Sequence, residues 1–191
     1  HRTGAAARLV QDFDRFGVYG SLGYYRLAGD DVEDNRQFEL GTGFYWKLWR
    51  RPDQEFTLGL NLTYFQYREN LRHFTLGHGG YFSPQRFVAV TVPAELTGRY
   101  QRLSYRLGID AGLQHFQEDA ADLFPGDRAL QAGLEAAAAD DPRLITGYAG
   151  QSSTGLGFNG LVELEYQLST RLALGGALRY SNARDYDELS L

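Results

Sequence analysis

The stretch Phe56-Thr57-Leu58-Gly59-Leu60-Asn61-Leu62-Thr63-Tyr64-Phe65 alternates its side chains with a period of two. Phe56, Leu58, Leu60, Leu62 and Tyr64 share one parity, while Thr57, Gly59, Asn61 and Thr63 take the other. Successive side chains of an extended strand point to opposite faces, so this is a β-strand with one apolar and one polar surface. The pattern returns in Phe16, Val18, Leu22 and Tyr24, in Phe38, Leu40, Phe44, Trp46 and Leu48, and in Val88, Val90, Val92, Ala94 and Leu96. It recurs in the odd positions from Leu103 to Leu113, in Leu156, Phe158, Val162, Leu164 and Tyr166, and in Leu172, Leu174, Leu178 and Tyr180. Each run is about ten residues long, which at the tilt of a barrel strand just crosses the hydrocarbon layer of a bilayer.

The connections separate a membrane barrel from a soluble sandwich. Tight turns are expected near Asp12 to Arg15, Arg50 to Gln54, Tyr100 to Leu103 and Ser169 to Arg171. Between them fall longer segments at 29–36, 68–86 and 117–153, and a last polar stretch opens at Ser181. Long loops at every second connection are what a barrel with short periplasmic turns and long external loops requires. About seven clear strands, with a weaker one in residues 3–11, predict an all-β, antiparallel, up-and-down transmembrane β-barrel. The whole of 1–191 reads as one barrel domain, a fragment lacking N-terminal strands and a final strand, because no returning strand is visible after Ser181. Its two edges then need other strands, since open edges are not tolerated in lipid.

Composition narrows the alternatives. The chain has 191 residues, no cysteine, no methionine and a net charge of -5. Absence of cysteine suits an exported chain without a disulfide framework. Absence of methionine implies that His1 is not a native start, so that any signal peptide or upstream domain has been cut away. The acidic balance leaves no basic stripe to neutralise phosphates, which argues against a nucleic-acid partner. No apolar run approaches the roughly 18 residues of a membrane helix.

Aromatic residues make up 14% of the chain and cluster toward strand ends. Phe16, Trp46, Trp49, Phe56, Tyr100, Tyr105 and Tyr166 lie near the tight turns, and Tyr24, Tyr64, Tyr67, Phe87, Phe116 and Tyr180 at the far ends. The placement matches two interfacial girdles of a membrane barrel, the alternative being ordinary β-propensity. In the third long segment, residues 127–139 are rich in alanine, with Asp127 placed as an N-cap and Leu130 and Leu134 one turn apart. This predicts a short helix that Pro142 cannot continue, against the alternative of an unstructured surface loop.

The second long segment reads His73-Phe74-Thr75-Leu76-Gly77-His78-Gly79-Gly80-Tyr81-Phe82-Ser83-Pro84-Gln85-Arg86. Its glycines allow positive φ and Pro84 closes the turn region, so a shaped loop is expected. Here the sequence resembles the C-terminal domain of the bacterial cellulose synthase operon protein C family, in the stretch 77–85, in Gln151 to Gly157, and in Asn182 to Tyr186. The resemblance runs along essentially the whole chain. It implies an outer-membrane barrel of roughly sixteen strands that lets a growing β-glucan, cellulose, leave the periplasm. It also implies partners: outer-membrane lipid, the exported glucan, periplasmic tetratricopeptide repeats of the same protein, and the cellulose synthase complex. No helical repeat of the roughly 34-residue type is visible in this chain.

The polar parity carries Tyr19, Tyr25, Glu39, Tyr45, Lys47, Asn61, Glu95, Arg106, Asp110, Gln114, Asn159, Glu163, Glu165 and Arg179. Interspersed charge and tyrosines suit a passive path for a neutral glucan, whereas a polyuronate exporter would show an excess of inward Arg and Lys. For any single residue the competing role is a salt-bridged wall filler. The external loop Gly77, His78, Gly79, Gly80, Tyr81, Phe82, Ser83 and Pro84 completes the candidate site. No cofactor is expected, and His73, His78 and His115 do not make a metal set. Two rivals stand beside the pore: an exporter of another polymer, and an outer-membrane hydrolase built on Ser83, His78 and a carboxylate, for which no nucleophile elbow is present. Gly155, Gly157 and Gly160 match a dinucleotide-binding spacing, but inside an alternating strand with no helix after it. Asn61-Leu62-Thr63 spells a glycosylation sequon on the polar parity.

Overall fold

A computed structural model describes residues 1–183 and 186–190. The predicted strands form in order: β1 (Arg2–Asp12), β2 (Phe16–Gly29), β3 (Val32–Arg51), β4 (Gln54–Tyr67), β5 (Arg86–Tyr100) and β6 (Leu103–Glu118). A two-strand insert, β7 (Ala121–Asp122) and β8 (Gly147–Tyr148), flanks the helix α1 (Arg128–Asp140). Then follow β9 (Gln151–Ser169), β10 (Leu172–Ala183) and β11 (Tyr186–Ser190). One antiparallel sheet of nine strands runs β1-β2-β3-β4-β5-β6-β9-β10-β11. Every ladder thus joins strands that follow one another along the main path, the order of a meander.

Register keeps the two parities apart across the sheet. Leu62 pairs with Val90, Val90 with Leu113, and Leu113 with Leu156. One position along, Asn61 pairs with Gly43 and Thr91, Thr91 with Gly112, and Gly112 with Gly157. The apolar face is uncovered: Leu22, Leu40, Leu60, Val90, Ile109, Val162 and Leu178 are all exposed, and Leu156 is 74% exposed. Leu71, Pro84 and Ala89 are buried apolar side chains, and none belongs to a second layer packed on that face. A soluble sheet would bury this parity against another element; this one does not.

Three expectations need correction. Residues 29–36 are not a long loop, because β2 and β3 continue to Gly29 and Val32 and leave a two-residue turn, with Asp31 at φ 58°. Here the strands carry polar residues on both faces, paired by Arg26 with Asp34, so the period of two is hidden. The polar stretch from Ser181 does not run on as a loop: β10 reaches Ala183, and Tyr186–Ser190 returns as β11 to pair with Arg179 to Ala183. The strands are also longer than about ten residues, reaching 20 in β3 and 19 in β9. Asn182 and Ala183 lie in β10 and Tyr186 in β11, while Arg184 and Asp185 of the same motif fall outside the described residues.

The helix forms where the alanine run predicts it. Asp127 caps it, its carboxylate accepting from Ala129 N at 3.0 Å and Leu130 N at 2.9 Å. Gln131 anchors its inner side, donating to Thr146 O and accepting from Phe124 N. Gly155, Gly157 and Gly160 lie within β9, as their strand context requires.

Candidate functional site

The register places Tyr19, Tyr25, Glu39, Tyr45, Lys47, Asn61, Glu95, Arg106, Asp110, Gln114, Asn159, Glu163, Glu165 and Arg179 on one face, opposite the exposed apolar one. They are not scattered evenly over it. Near the tight turns the face is charged, and several of its charges are joined. Arg106 donates to Glu95 at 2.8 Å and faces Glu163 at 3.7 Å, and Arg179 reaches Glu163 at 3.1 Å. Lys47 bonds Asp12 at 2.8 Å, and Tyr45 donates to the same carboxylate at 3.2 Å. Alternating signs at these spacings leave little net field for a charged ligand to follow.

Halfway up, from β2 to β9, the face carries small or uncharged side chains, with Arg8 of β1 beside Ser21 at the edge. One row runs Tyr19, Gly43, Asn61, Thr91, Gly112 and Gly157, the next Ser21, Gly41, Thr63, Ala89, Gln114 and Gly155. Toward the long loops comes a row the charge pattern does not announce: Glu39, Phe65, Phe87, Phe116 and Ser153. Phe87, Phe116 and Tyr67 therefore sit on the polar face and not in a lipid girdle, a correction that parity contains, since Val88 and Val90 flank Phe87 on the other one. The apolar face keeps Tyr24, Tyr64 and Tyr180 at that end, and Phe16, Trp46, Trp49, Phe56, Tyr100, Tyr105 and Tyr166 near the turns.

The loop 68–85 folds down onto this row. Phe82 meets Phe116 edge-on with centroids 5.2 Å apart, beside the stacked pair Phe65 and Phe87 at 4.3 Å. Arg72 holds Glu118 at 2.9 Å, a carboxylate whose side chain is almost wholly buried. The loop is fixed from within by Asn35 and Ser83, both fully buried. Asn35 donates to Glu69 O at 2.8 Å and Tyr81 OH at 3.0 Å and accepts from Arg36 N and Glu69 N. The Ser83 hydroxyl accepts from Leu71 N at 2.8 Å and donates to Tyr81 O at 3.1 Å, and Pro84 is buried beside it. Gly77 and Gly80 take φ values of 91° and 66°, and a Cβ on Gly77 would stand 2.6 Å from Gly126 N. A side chain there would be strained twice over. Gly77 O accepts from Glu33 N, tying the loop to β3, and Gly79 N donates to Leu71 O.

A second contact joins the two long loops. His73 stacks on Tyr148 with centroids 3.5 Å apart, and His78 stands edge-on to both. The His78 Nε2 lies 2.9 Å from Asp122 O, so that nitrogen carries the proton and donates. Ser83 Oγ and His78 Nε2 thus engage different backbone partners, and no hydrogen bond joins the two side chains. No group of three or more metal-ligating side chains occurs among the described residues. Partial burial, then the neighbouring His78, lowers the His73 pKa below 6.5, with Arg72 acting in the same direction and Glu118 opposing. A base with a depressed folded-state pKa is favoured neutral, so its docking is complete above 6.5 and weakens as pH falls through that value toward the folded one. Amide exchange of residues 73–80, corrected for intrinsic rate, should accelerate on going from one unit above to about one unit below the ordinary imidazole value. Unchanged protection would show that the two loops dock independently of this imidazole.

The structure is thus an antiparallel all-β sheet with one uncovered apolar face and one polar face, on which the loop 68–85 is seated. The family model for the cellulose synthase operon protein C C-terminus matches residues 1–191. This chain belongs to that family. It is 40% identical over 183 residues to a cellulose synthase operon protein C of Pseudomonas fluorescens (strain SBW25), covering 96% of this chain and 14% of that protein. Similar proteins of the same name occur in Xanthomonas axonopodis pv. citri (strain 306), 38% identical over 98% of this chain and 13% of the relative. Another, in Komagataeibacter xylinus, is 34% identical over 90% of this chain and 14% of the relative. The chain therefore spans about one-seventh of the length of these relatives.

Proposed function

We propose that this chain forms part of the wall of a transmembrane β-barrel in a bacterial outer membrane, through which an exopolysaccharide, cellulose, leaves the cell. The observation that carries the reading is the uncovered apolar parity, which continues strand after strand from Leu22 to Leu178 with no second layer over it. Burying such a surface in hydrocarbon is favourable at about 25 cal/mol per Å², and lipid is the medium that can cover all of it at once. No described helix is long and apolar enough to cross a membrane, so any crossing is by strands. The edges β1 and β11 do not pair with each other in the described sheet, and further strands close the wall.

On the aqueous side, Tyr19, Tyr25, Glu39, Tyr45, Asn61, Glu95, Arg106, Asp110, Gln114, Asn159, Glu163 and Arg179 line the path. Joined charges and hydroxyls exchange hydrogen bonds with a neutral polymer without a counter-charge to trap it. The loop from Gly77 to Pro84 narrows the outer end, set on the phenylalanine row. The relatives' name supports cellulose as the polymer and the synthase complex as a partner; periplasmic repeats of the same protein are a further partner in this reading, and no step of chemistry is assigned to this chain. Proteoliposomes holding the full-length protein should release entrapped cello-oligosaccharide faster than a polyuronate of equal length. Equal release of the anionic polymer would overturn the neutral-glucan reading, and no release of either would overturn the pore.

A further inference from the structure

A concavity on the polar face spans β5, β6, β9 and β10, two rows deep. One row is Pro93, Asp110, Asn159 and Ser181, the other Glu95, Gly108, Leu161 and Arg179. Its floor is apolar and level: Pro93, Gly108 and Leu161. Two other glycines of this face are roofed by tyrosines, an added Cβ standing 2.4 Å from the Tyr45 ring at Gly17 and 2.7 Å from the Tyr25 ring at Gly23. At Gly108 the nearest atom to such a Cβ is Leu161 Cβ, at 3.4 Å, so the floor is open to the aqueous side.

The rim is polar and pre-arranged. Ser181 Oγ donates to Asn159 Oδ1 at 2.6 Å, and Asn159 Nδ2 reaches Asp110 Oδ1 at 3.4 Å. The two charged members at the other side are already engaged, Glu95 by Arg106 at 2.8 Å and Arg179 by Glu163 at 3.1 Å. An apolar floor with hydrogen-bonding groups at its edge, among them the Asp110 carboxylate beside the Asn159 amide, has the chemistry of a pyranose. The C–H face of the ring lies on such a floor while its equatorial hydroxyls meet the rim.

We infer that the hollow over Gly108 is a saccharide subsite on the inner wall, taking one neutral β-linked pyranose unit against Pro93, Gly108 and Leu161, with Asp110, Asn159 and Ser181 meeting its hydroxyls. The inference rests on the pore reading and adds to it a defined contact point. With no aromatic ring on the floor the hold is weak, which suits a polymer that must slide on.

The test uses full-length protein in micelles titrated with cellohexaose, with binding followed by NMR line broadening of the sugar, and ion conductance of the same proteins measured in planar bilayers. Asp110→Ala combined with Asn159→Ala should raise Kd about tenfold, two hydrogen bonds being removed. Gly108→Val, whose Cβ would stand 3.4 Å from Leu161 Cβ, should do the same by filling the floor. Gly108→Val, which removes no polar group from the path, should conduct as the parent does. Unchanged affinity in both variants, or no binding by the parent, overturns the subsite while conductance leaves the pore standing. Absence of conductance in the parent overturns the pore reading, and the subsite with it. If the double variant fails to insert, Gly108→Val alone decides.

Discussion

Replacing Leu60 with arginine should destabilise the protein by about 2–4 kcal/mol, while arginine at the adjacent Asn61 should cost less than about 1 kcal/mol. Leu60 is at the centre of β4, 39% exposed on the apolar face and opposite Phe44. In the proposed membrane that exposure is to hydrocarbon, and a guanidinium placed there loses its hydration near the midplane. Asn61 points the other way, between Gly43 and Thr91, where a charged side chain remains in water. Urea unfolding in lipid vesicles measures both. Equal penalties at the two positions would mean that the faces have been assigned to the wrong media, and the export reading would fall with them.

Truncating Asn35 to alanine should release the loop 68–85 from the wall at a cost of about 2–4 kcal/mol to its docking. This one amide satisfies Glu69 through both its backbone groups, caps Arg36 N and meets the Tyr81 hydroxyl, all without exposure to solvent. Removing it strands several polar groups at once, and water cannot reach them until the loop lifts. Protease cleavage or rapid amide exchange confined to residues 68–85, with the strands unaffected, is the expected result. A loop as protected as the parent's would show that Phe82, Ser83 and the Arg72–Glu118 pair suffice to hold it.

Different parts of the molecule were legible in the sequence to different degrees, for physical reasons. Strands between two media must alternate, so β4 to β6 and the cores of β2, β3, β9 and β10 announce themselves, as do the tight turns between them. The capped helix at Asp127 is equally local, its hydrogen bonds closing within three residues. Beyond the proposed membrane layer both faces of a strand meet water and the alternation vanishes, which is why Glu33 to Arg36 resemble a loop while belonging to β3. Near Trp49 a bulge lets Leu48 and Trp49 both face outward, so parity breaks there too. The role of Asn35 was out of reach for another reason: its partners Glu69 and Tyr81 are 34 and 46 residues away, and nothing in the neighbouring sequence marks the contact. Phe65, Phe87 and Phe116 were legible in principle, since their parity is that of Thr63, Ala89 and Gln114.

The meander order has a consequence for how the chain is assembled. Each strand from β1 to β6 meets its next neighbour across a connection short enough to close early, except between β4 and β5. The insert carrying α1 is the long detour, between β6 and β9. Closure entropy grows only slowly with the length of such detours, so both long excursions can vary in length without altering which edge accepts the next hairpin. A ribbon of this kind can lengthen by zippering, one strand at a time, with its growing rim always ready for the succeeding segment.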